Sequence, residues 1–485
     1  MIDFAANYRM LIDGELVKGE ATLPVVNPAT GQAFATAPDA TAAQLDRAVA
    51  AANAAFPAWR ALSPEERGGC LVRAADIIQA HLDELAVLFT REQGRPTAFA
   101  REEIAGAAYW LRASADLRLP IDVIEDTPER RIEVRHEPLG AVCGIVPWNF
   151  PIAQASWKIG PPLIAGNTVV IKPSPFTPLA TLKMGELLRG VFPLGVLNIV
   201  SGGDALGPAM TAHPGFRKIS FTGSTATGKR VMETAARDLK RVTLELGGND
   251  PAIVLDDVDV DAIAEQIFFG AFYNSAQICA ATKRLFVQDA VYDALRDRLH
   301  AMARGAKLGD GAEPGTMFGP IQNERQFARV RALLDAAERD GLAVLKGADA
   351  PAGGGFFVPL TIVDNPPDES RVVAEEAFGP ILPMLRFHDV EEAIARANAT
   401  SYGLTASIWT RDIARATEIA GRLECGTVWI NQIFTLTPMS PAGGAKQSGI
   451  GVEGGLAGLI EFTQAKTVYI PKAGIPETAP PMRET

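Results

Sequence analysis

Apolar positions in the first part of the chain recur at helical spacing. Leu45, Val49, Ala52 and Phe56 form one stripe, and Ser63-Pro64-Glu65-Glu66 reads as a capping box ahead of Leu71, Ala74, Ala75 and Ile78. This predicts that the first hundred residues are mostly helix. Over 131–136 the rhythm changes to strict alternation, Ile132 and Val134 against Arg131, Glu133 and Arg135, which predicts a two-faced antiparallel strand. From 141 onward, short apolar runs at 141–146, 168–171, 196–200, 218–221 and 242–246 are separated by helical patterns. That alternation predicts a doubly wound, mostly parallel sheet, with ligands bound beyond the carboxyl ends of its strands. A second α/β unit is expected from about 249 to 455, with helices at 261–272, 323–339 and 393–398 and strands at 285–288, 406–409 and 427–431. A last strand-like run lies at 467–470, before a Pro-rich end.

Composition narrows the class. The 485 residues are 47% hydrophobic and 21% charged, enough to bury substantial cores, and the net charge of −11 is interspersed, so neither nucleic acid nor an anionic membrane is expected as a partner. The N-terminal stretch carries no basic segment followed by an apolar core, and no apolar run approaches a membrane span; the expected location is cytoplasmic. Four scattered cysteines make neither a disulfide framework nor a metal cluster, so no metal is expected.

Four segments carry candidate chemistry. Cys279, in Gln277-Ile278-Cys279, is a candidate nucleophile, and Glu245, in Leu244-Glu245-Leu246-Gly247-Gly248, is a candidate base whose pKa burial would lift. The five histidines all lie outside the motif-like segments, which counts against a Cys/His hydrolase. Gly223-Ser224-Thr225-Ala226-Thr227-Gly228-Lys229 follows a predicted strand and resembles a phosphate loop, but Arg230 replaces the hydroxyl that would ligate magnesium. What remains is a glycine-rich turn opening a helix, suited to a pyrophosphate. Asn149, in Pro147-Trp148-Asn149-Phe150-Pro151, offers a rigid amide donor of the kind an oxyanion requires. Gly449-Ile450-Gly451-Val452-Glu453-Gly454 matches a dinucleotide fingerprint in spelling only, because it does not follow a strand.

Taken in their order along the chain, and with Lys172-Pro173-Ser174, Glu375-Glu376-Ala377-Phe378-Gly379-Pro380 and the stretch 441–453, these motifs resemble the NAD(P)-dependent aldehyde dehydrogenase superfamily from about residue 8 to 470. The resemblance implies a Rossmann-like dinucleotide-binding domain (1–118 and 138–248), an α/β catalytic domain (249–462) and an oligomerisation arm (119–137) with a tail (463–485). It further implies that NAD or NADP accepts hydride from an aldehyde, that Cys279 attacks the carbonyl, that Asn149 and the Cys279 N–H hold the oxyanion, and that Glu245 activates the hydrolytic water. Trp148, Lys172, Ser174, Gly223, Ser224, Glu376 and Phe378 would hold the cofactor. Gln154, Trp157, Ile278, Leu436 and Ala442 would line the substrate pocket.

Three positions depart from the family pattern. Pro175 stands where many NAD-preferring members carry a ribose-gripping glutamate, which predicts a relaxed choice between NAD and NADP. Ala442 replaces a common phenylalanine, predicting a wide apolar pocket for a medium-sized aliphatic or aromatic aldehyde. Val452 stands where arginine is common, and nothing in the sequence assigns it a consequence. No arginine at Trp157 or Ile278 clamps a distal carboxylate, which argues against succinic semialdehyde. The alternatives are a semialdehyde dehydrogenase of a specific catabolic pathway and a non-catalytic dinucleotide-binding protein. A homodimer or homotetramer is expected.

Overall fold

A computed structural model describes residue 4 and residues 7–474; the remaining ends of the expected first domain and of the tail lie outside the described residues. The helical reading of the first hundred residues holds from Ala42 onward: Ala42–Ala61 and Pro64–Ala80 each start with a complete capping box, Thr41 with Gln44 and Ser63 with Glu66. Before them the expectation fails. Met10–Ile12, Glu15–Val17, Ala21–Asn27 and Gln32–Asp39 are strands. These runs are too short and irregular to announce a face, and pairing decides them: Met10–Ile12 with Glu15–Val17 and with Leu197–Ile199, Ala21–Asn27 with Gln32–Asp39.

Five strands of the larger sheet run parallel in the order Arg241–Glu245, Lys218–Thr222, Ala141–Ile145, Thr168–Lys172, Leu197–Ile199. Numbered by sequence, that order is 5-4-1-2-3. The crossovers therefore reverse between Ala141–Ile145 and Lys218–Thr222, the topological switch point where α/β sheets bind ligands. The strands Met10–Ile12 and Gly449–Ile450 extend this sheet at opposite sides, both antiparallel. Gly449–Ile450 thus carries the chain back from the second unit to pair with Leu244 and Glu245, and no strand precedes it in the way the dinucleotide fingerprint needs.

The second sheet has the order Ala343–Lys346, Thr361–Asp364, Ile381–Phe387, Arg284–Gln288, Pro251–Val254, Thr405–Trp409, Thr427–Ile430, parallel except at its first pair. The alternating segment becomes the strand Arg130–Pro138, flanked by Asp122–Asp126 and Thr463–Pro471 in a separate antiparallel sheet. Among the described residues, no helix is long and apolar enough to cross a membrane.

Candidate active site

The loop that delivers Cys279 is backbone-strained. Asn274, Ser275 and Ala276 all adopt left-handed φ values of 53°, 52° and 59°, a conformation that costs non-glycine residues free energy unless neighbours enforce it. The enforcement is visible. Ser275 Oγ donates to the Gly319 carbonyl at 2.7 Å, and Gln277 Nε2 donates to the Asn274 carbonyl at 2.9 Å. The Gln322 N–H donates to Gln277 Oε1 at 2.8 Å. Ile278 and Cys279 then emerge into a cavity of about 440 Å³.

That cavity brings together residues from distant segments. Cys279 and Glu245 line it with Gln154, Trp157, Ile278, Leu436 and Ala442. Its walls also include aromatic residues that no local pattern marks. Trp110 packs on Trp157 with ring centroids 4.5 Å apart, and Phe434 lies between Tyr273 and Trp429 at 6.2 and 6.5 Å.

Asn149 is clamped to the loop that carries Cys279, its Nδ2 donating to the Gln277 carbonyl at 2.9 Å. One amide N–H is thereby used and the other remains available. Behind it lies a buried ion pair absent from the sequence reading: Arg95 Nη1 to Glu103 Oε2 at 2.6 Å. Glu103 Oε1 accepts from the Ile152 and Ala153 N–H groups, both at 3.1 Å, closing the start of the helix Pro151–Ala165.

Burial dominates the electrostatics. It pushes the Cys279 thiol up to about 12, with Lys283 opposing and Asp250, Glu245 and Glu376 adding to the rise. Glu245 is raised well above the ordinary carboxylate range, first by burial, then by Glu453, against the nearby Lys158 charge. Lys158 Nζ pairs with Glu453 Oε1 at 2.6 Å, and Ser220 Oγ donates to the same oxygen at 3.1 Å. Glu245 Oε1 and Glu453 Oε2 are buried without a protein partner among the described residues, the state of groups that exchange protons or hold water.

The fit to a dinucleotide is tested along the carboxyl ends of the larger sheet. Ser224 caps the helix Thr225–Ala236 through its hydroxyl, and the Gly223 N–H donates to the Glu245 carbonyl at 3.0 Å, so the turn and Glu245 share one anchor. Lys172 Nζ, held down to about 8 by burial, donates to the Pro173 carbonyl at 3.3 Å. An ammonium has three donors, so this lysine keeps capacity for hydroxyl or phosphate oxygens. Ser174 Oγ accepts from the Phe176 N–H at 3.3 Å, and Trp148 meets Phe378 edge-on at 5.3 Å. A Cβ on Gly247 would stand 2.2 Å from Glu376 Oε2. Only glycine lets that carboxylate lie against the backbone. The donor set suits ribose hydroxyls and a pyrophosphate.

The comparisons with known proteins agree with this geometry. A family model described as the aldehyde dehydrogenase family matches residues 16–468. The chain is 43% identical to an aldehyde dehydrogenase, LUC3, of a Fusarium species, covering 92% of this chain and 95% of that one. It is 40% identical to the NADP(+) succinate-semialdehyde dehydrogenase of Escherichia coli, covering 95% and 97%. The NAD+ complex of a Bacillus cereus aldehyde dehydrogenase superposes with a TM-score of 0.94 at 37% identity, covering 97% of this chain and 98% of that one. The chain belongs to the aldehyde dehydrogenase family. It is an oxidoreductase acting on aldehydes with NAD or NADP as acceptor.

Proposed function

We propose that this enzyme oxidises medium-sized aliphatic or aromatic aldehydes to carboxylic acids through a thioester on Cys279. The observation that carries the reading is a single apolar cavity lined by both Cys279 and Glu245, with Asn149 hydrogen-bonded to the loop of the nucleophile. The Cys279 thiolate adds to the aldehyde carbon, forming the C–S bond, and the oxyanion receives the free Asn149 amide N–H and the Cys279 backbone N–H. A bound nicotinamide would supply the acceptor for the hydride that leaves this carbon. The carbonyl re-forms as a thioester on Cys279. Glu245 then takes a proton from water as it attacks, the C–S bond breaks, and the acid departs. Lys172 and Glu376 would hold ribose hydroxyls, Gly223, Ser224 and Ser174 would take the phosphates, and Trp148 with Phe378 would pack beside the nicotinamide ribose.

The lining supports an uncharged substrate. Its cation, Arg95, is fully buried in the pair with Glu103, and Glu102 adds negative charge to the wall. A carboxylated aldehyde would meet repulsion rather than a clamp, which disfavours a semialdehyde substrate. With proline at 175, neither a favourable carboxylate–ribose bond nor a repulsion of the 2′-phosphate is expected, so both dinucleotides serve. The cytoplasm is the proposed location, supported by four free cysteines suited to a reducing compartment. Exposed Ile121, Val123, Ile124 and Tyr469 on the three-stranded arm support assembly through it into a homodimer or homotetramer. The domain division is proposed as 1–118 with 138–248, 249–462, and 119–137 with 463–485.

The test is the initial rate of NADH and NADPH formation across aliphatic, aromatic and carboxylated aldehydes, with Cys279→Ala in parallel. Turnover on apolar aldehydes that vanishes in the variant is expected. A preference for carboxylated aldehydes would overturn the substrate assignment, as would Ala442→Phe leaving bulky aldehydes unaffected. A preference for NAD above about a thousandfold, some 4 kcal/mol, would overturn the relaxed cofactor choice. A monomeric mass by analytical ultracentrifugation would overturn the assembly.

A further inference from the structure

Lys283 follows the nucleophile in the chain and precedes the strand Arg284–Gln288. Its side chain is 6% exposed, and it sits among acids. Its Nζ donates to the Cys279 carbonyl and lies 3.5 Å from Glu376 Oε1. Glu376 Oε1 also accepts from the Gly248 N–H at 3.2 Å. Asp250, engaged by Thr405 Oγ1 at 2.7 Å, is lifted to about 6, by burial first and with Lys283 opposing. The charged groups acting on the thiol are Lys283, Asp250, Glu245 and Glu376. Three are acids that oppose a thiolate, and Lys283 supplies the positive charge. Its neighbour Arg284 is turned to the carbonyls of Asn249, Arg396 and Ala397.

We propose that Lys283 is the positioning residue of the nucleophile: its ammonium pins the Cys279 carbonyl and supplies the charge against which the thiol releases its proton to water, with Glu376 competing for that charge. The inference rests on the reading of Cys279 as the nucleophile. A thiolate next to a lysine is stabilised by direct attraction, and the low dielectric around a buried pair strengthens it. The same ammonium must neutralise Glu376 and Asp250, so the thiol receives only a share. Two substitutions should therefore act with opposite sign, which loss of packing would not produce.

The experiment treats the full-length protein, without dinucleotide, with iodoacetamide from about pH 6 to about pH 10, where the reactivity of a thiol pushed up to about 12 is still on its rising limb. Mass spectrometry of the peptide bearing Cys279 separates it from Cys70, Cys143 and Cys425. Lys283→Met is expected to slow Cys279 alkylation at a fixed pH by about tenfold and to move the rising limb up by about one unit. Lys283→Arg, which keeps the charge, is expected to restore most of the rate. Glu376→Gln is expected to move the limb down. A Lys283→Met profile superimposed on that of the unaltered protein would overturn the proposal. Should that variant lose its near-ultraviolet circular dichroism, Glu376→Gln decides, and an unmoved or raised limb overturns it. Aldehyde oxidation that survives alkylation of Cys279 would instead refute the nucleophile reading, leaving the ionisation result intact.

Discussion

The guanidinium of Arg95 donates a 2.5 Å hydrogen bond to the backbone carbonyl of Asn149, tying the loop and helix at residues 94–115 to the proposed oxyanion donor. The same guanidinium lies 4.1 Å from the Phe150 ring centroid and donates through Nε to Asn274 Oδ1 at 3.2 Å. One buried charge thus braces both the donor and the strained loop of the nucleophile. Arg95→Met leaves Glu103 buried and unpaired. It is expected to cost about 3–5 kcal/mol in denaturant unfolding, and to lower kcat/KM by about a hundredfold through misplacement of Asn149.

In the proposed mechanism Glu245 acts only once the thioester exists. In Glu245→Gln, stopped-flow mixing with aldehyde and dinucleotide is expected to retain a burst of reduced cofactor close to one equivalent per subunit, while steady turnover falls by about 10²–10⁴-fold. Loss of the burst together with turnover would place Glu245 in the first half of the reaction.

In the proposed mechanism the neighbours of Glu245 set the pH at which it serves as a base. Its raised pKa means the carboxyl stays protonated at low pH and gains base function as pH rises, so kcat limited by hydrolysis carries a rising limb. Lys158 opposes the rise and Glu453 adds to it. Lys158→Met is therefore expected to move the limb to higher pH and Glu453→Gln to lower pH, each by about one unit for about 1.4 kcal/mol of altered interaction. Steady-state kcat across pH measures both.

Lys172 loses its charge unusually early. Burial holds it down to about 8, so the free enzyme carries a cation there below that pH and a neutral amine above it. A neutral amine can still donate to a ribose hydroxyl but no longer attracts a phosphate dianion. The ratio of KM for NADP to KM for NAD is expected to rise by about tenfold between about pH 7 and about pH 9. Lys172→Met should flatten that dependence.

Glu245, Asn149 and the Ser224 turn stand out in the sequence as candidates because their local backbone demands are written beside them. Proline on both sides of Trp148-Asn149-Phe150, glycine after Glu245 and glycine before Ser224 each mark a turn at the end of a predicted strand. The parallel sheet was legible for a similar reason, since strands buried on both faces read as continuous apolar runs such as Val169, Val170 and Ile171.

What the chain determined by itself was many of the local elements from Ala42 onward and the candidate reacting groups, because backbone preference and side-chain periodicity act within a few residues. Only the tertiary structure decided that the strands before Ala42 pair at all, that Gly449–Ile450 crosses back to Leu244 and Glu245, and that Trp110 meets Trp157. It alone joined Arg95 to Asn149 and Lys283 to Glu376. Apart from the local pairings among the first four strands, these contacts link segments far apart in the chain, where loop closure and the packing of whole sheets choose the partner and no short-range pattern records the choice.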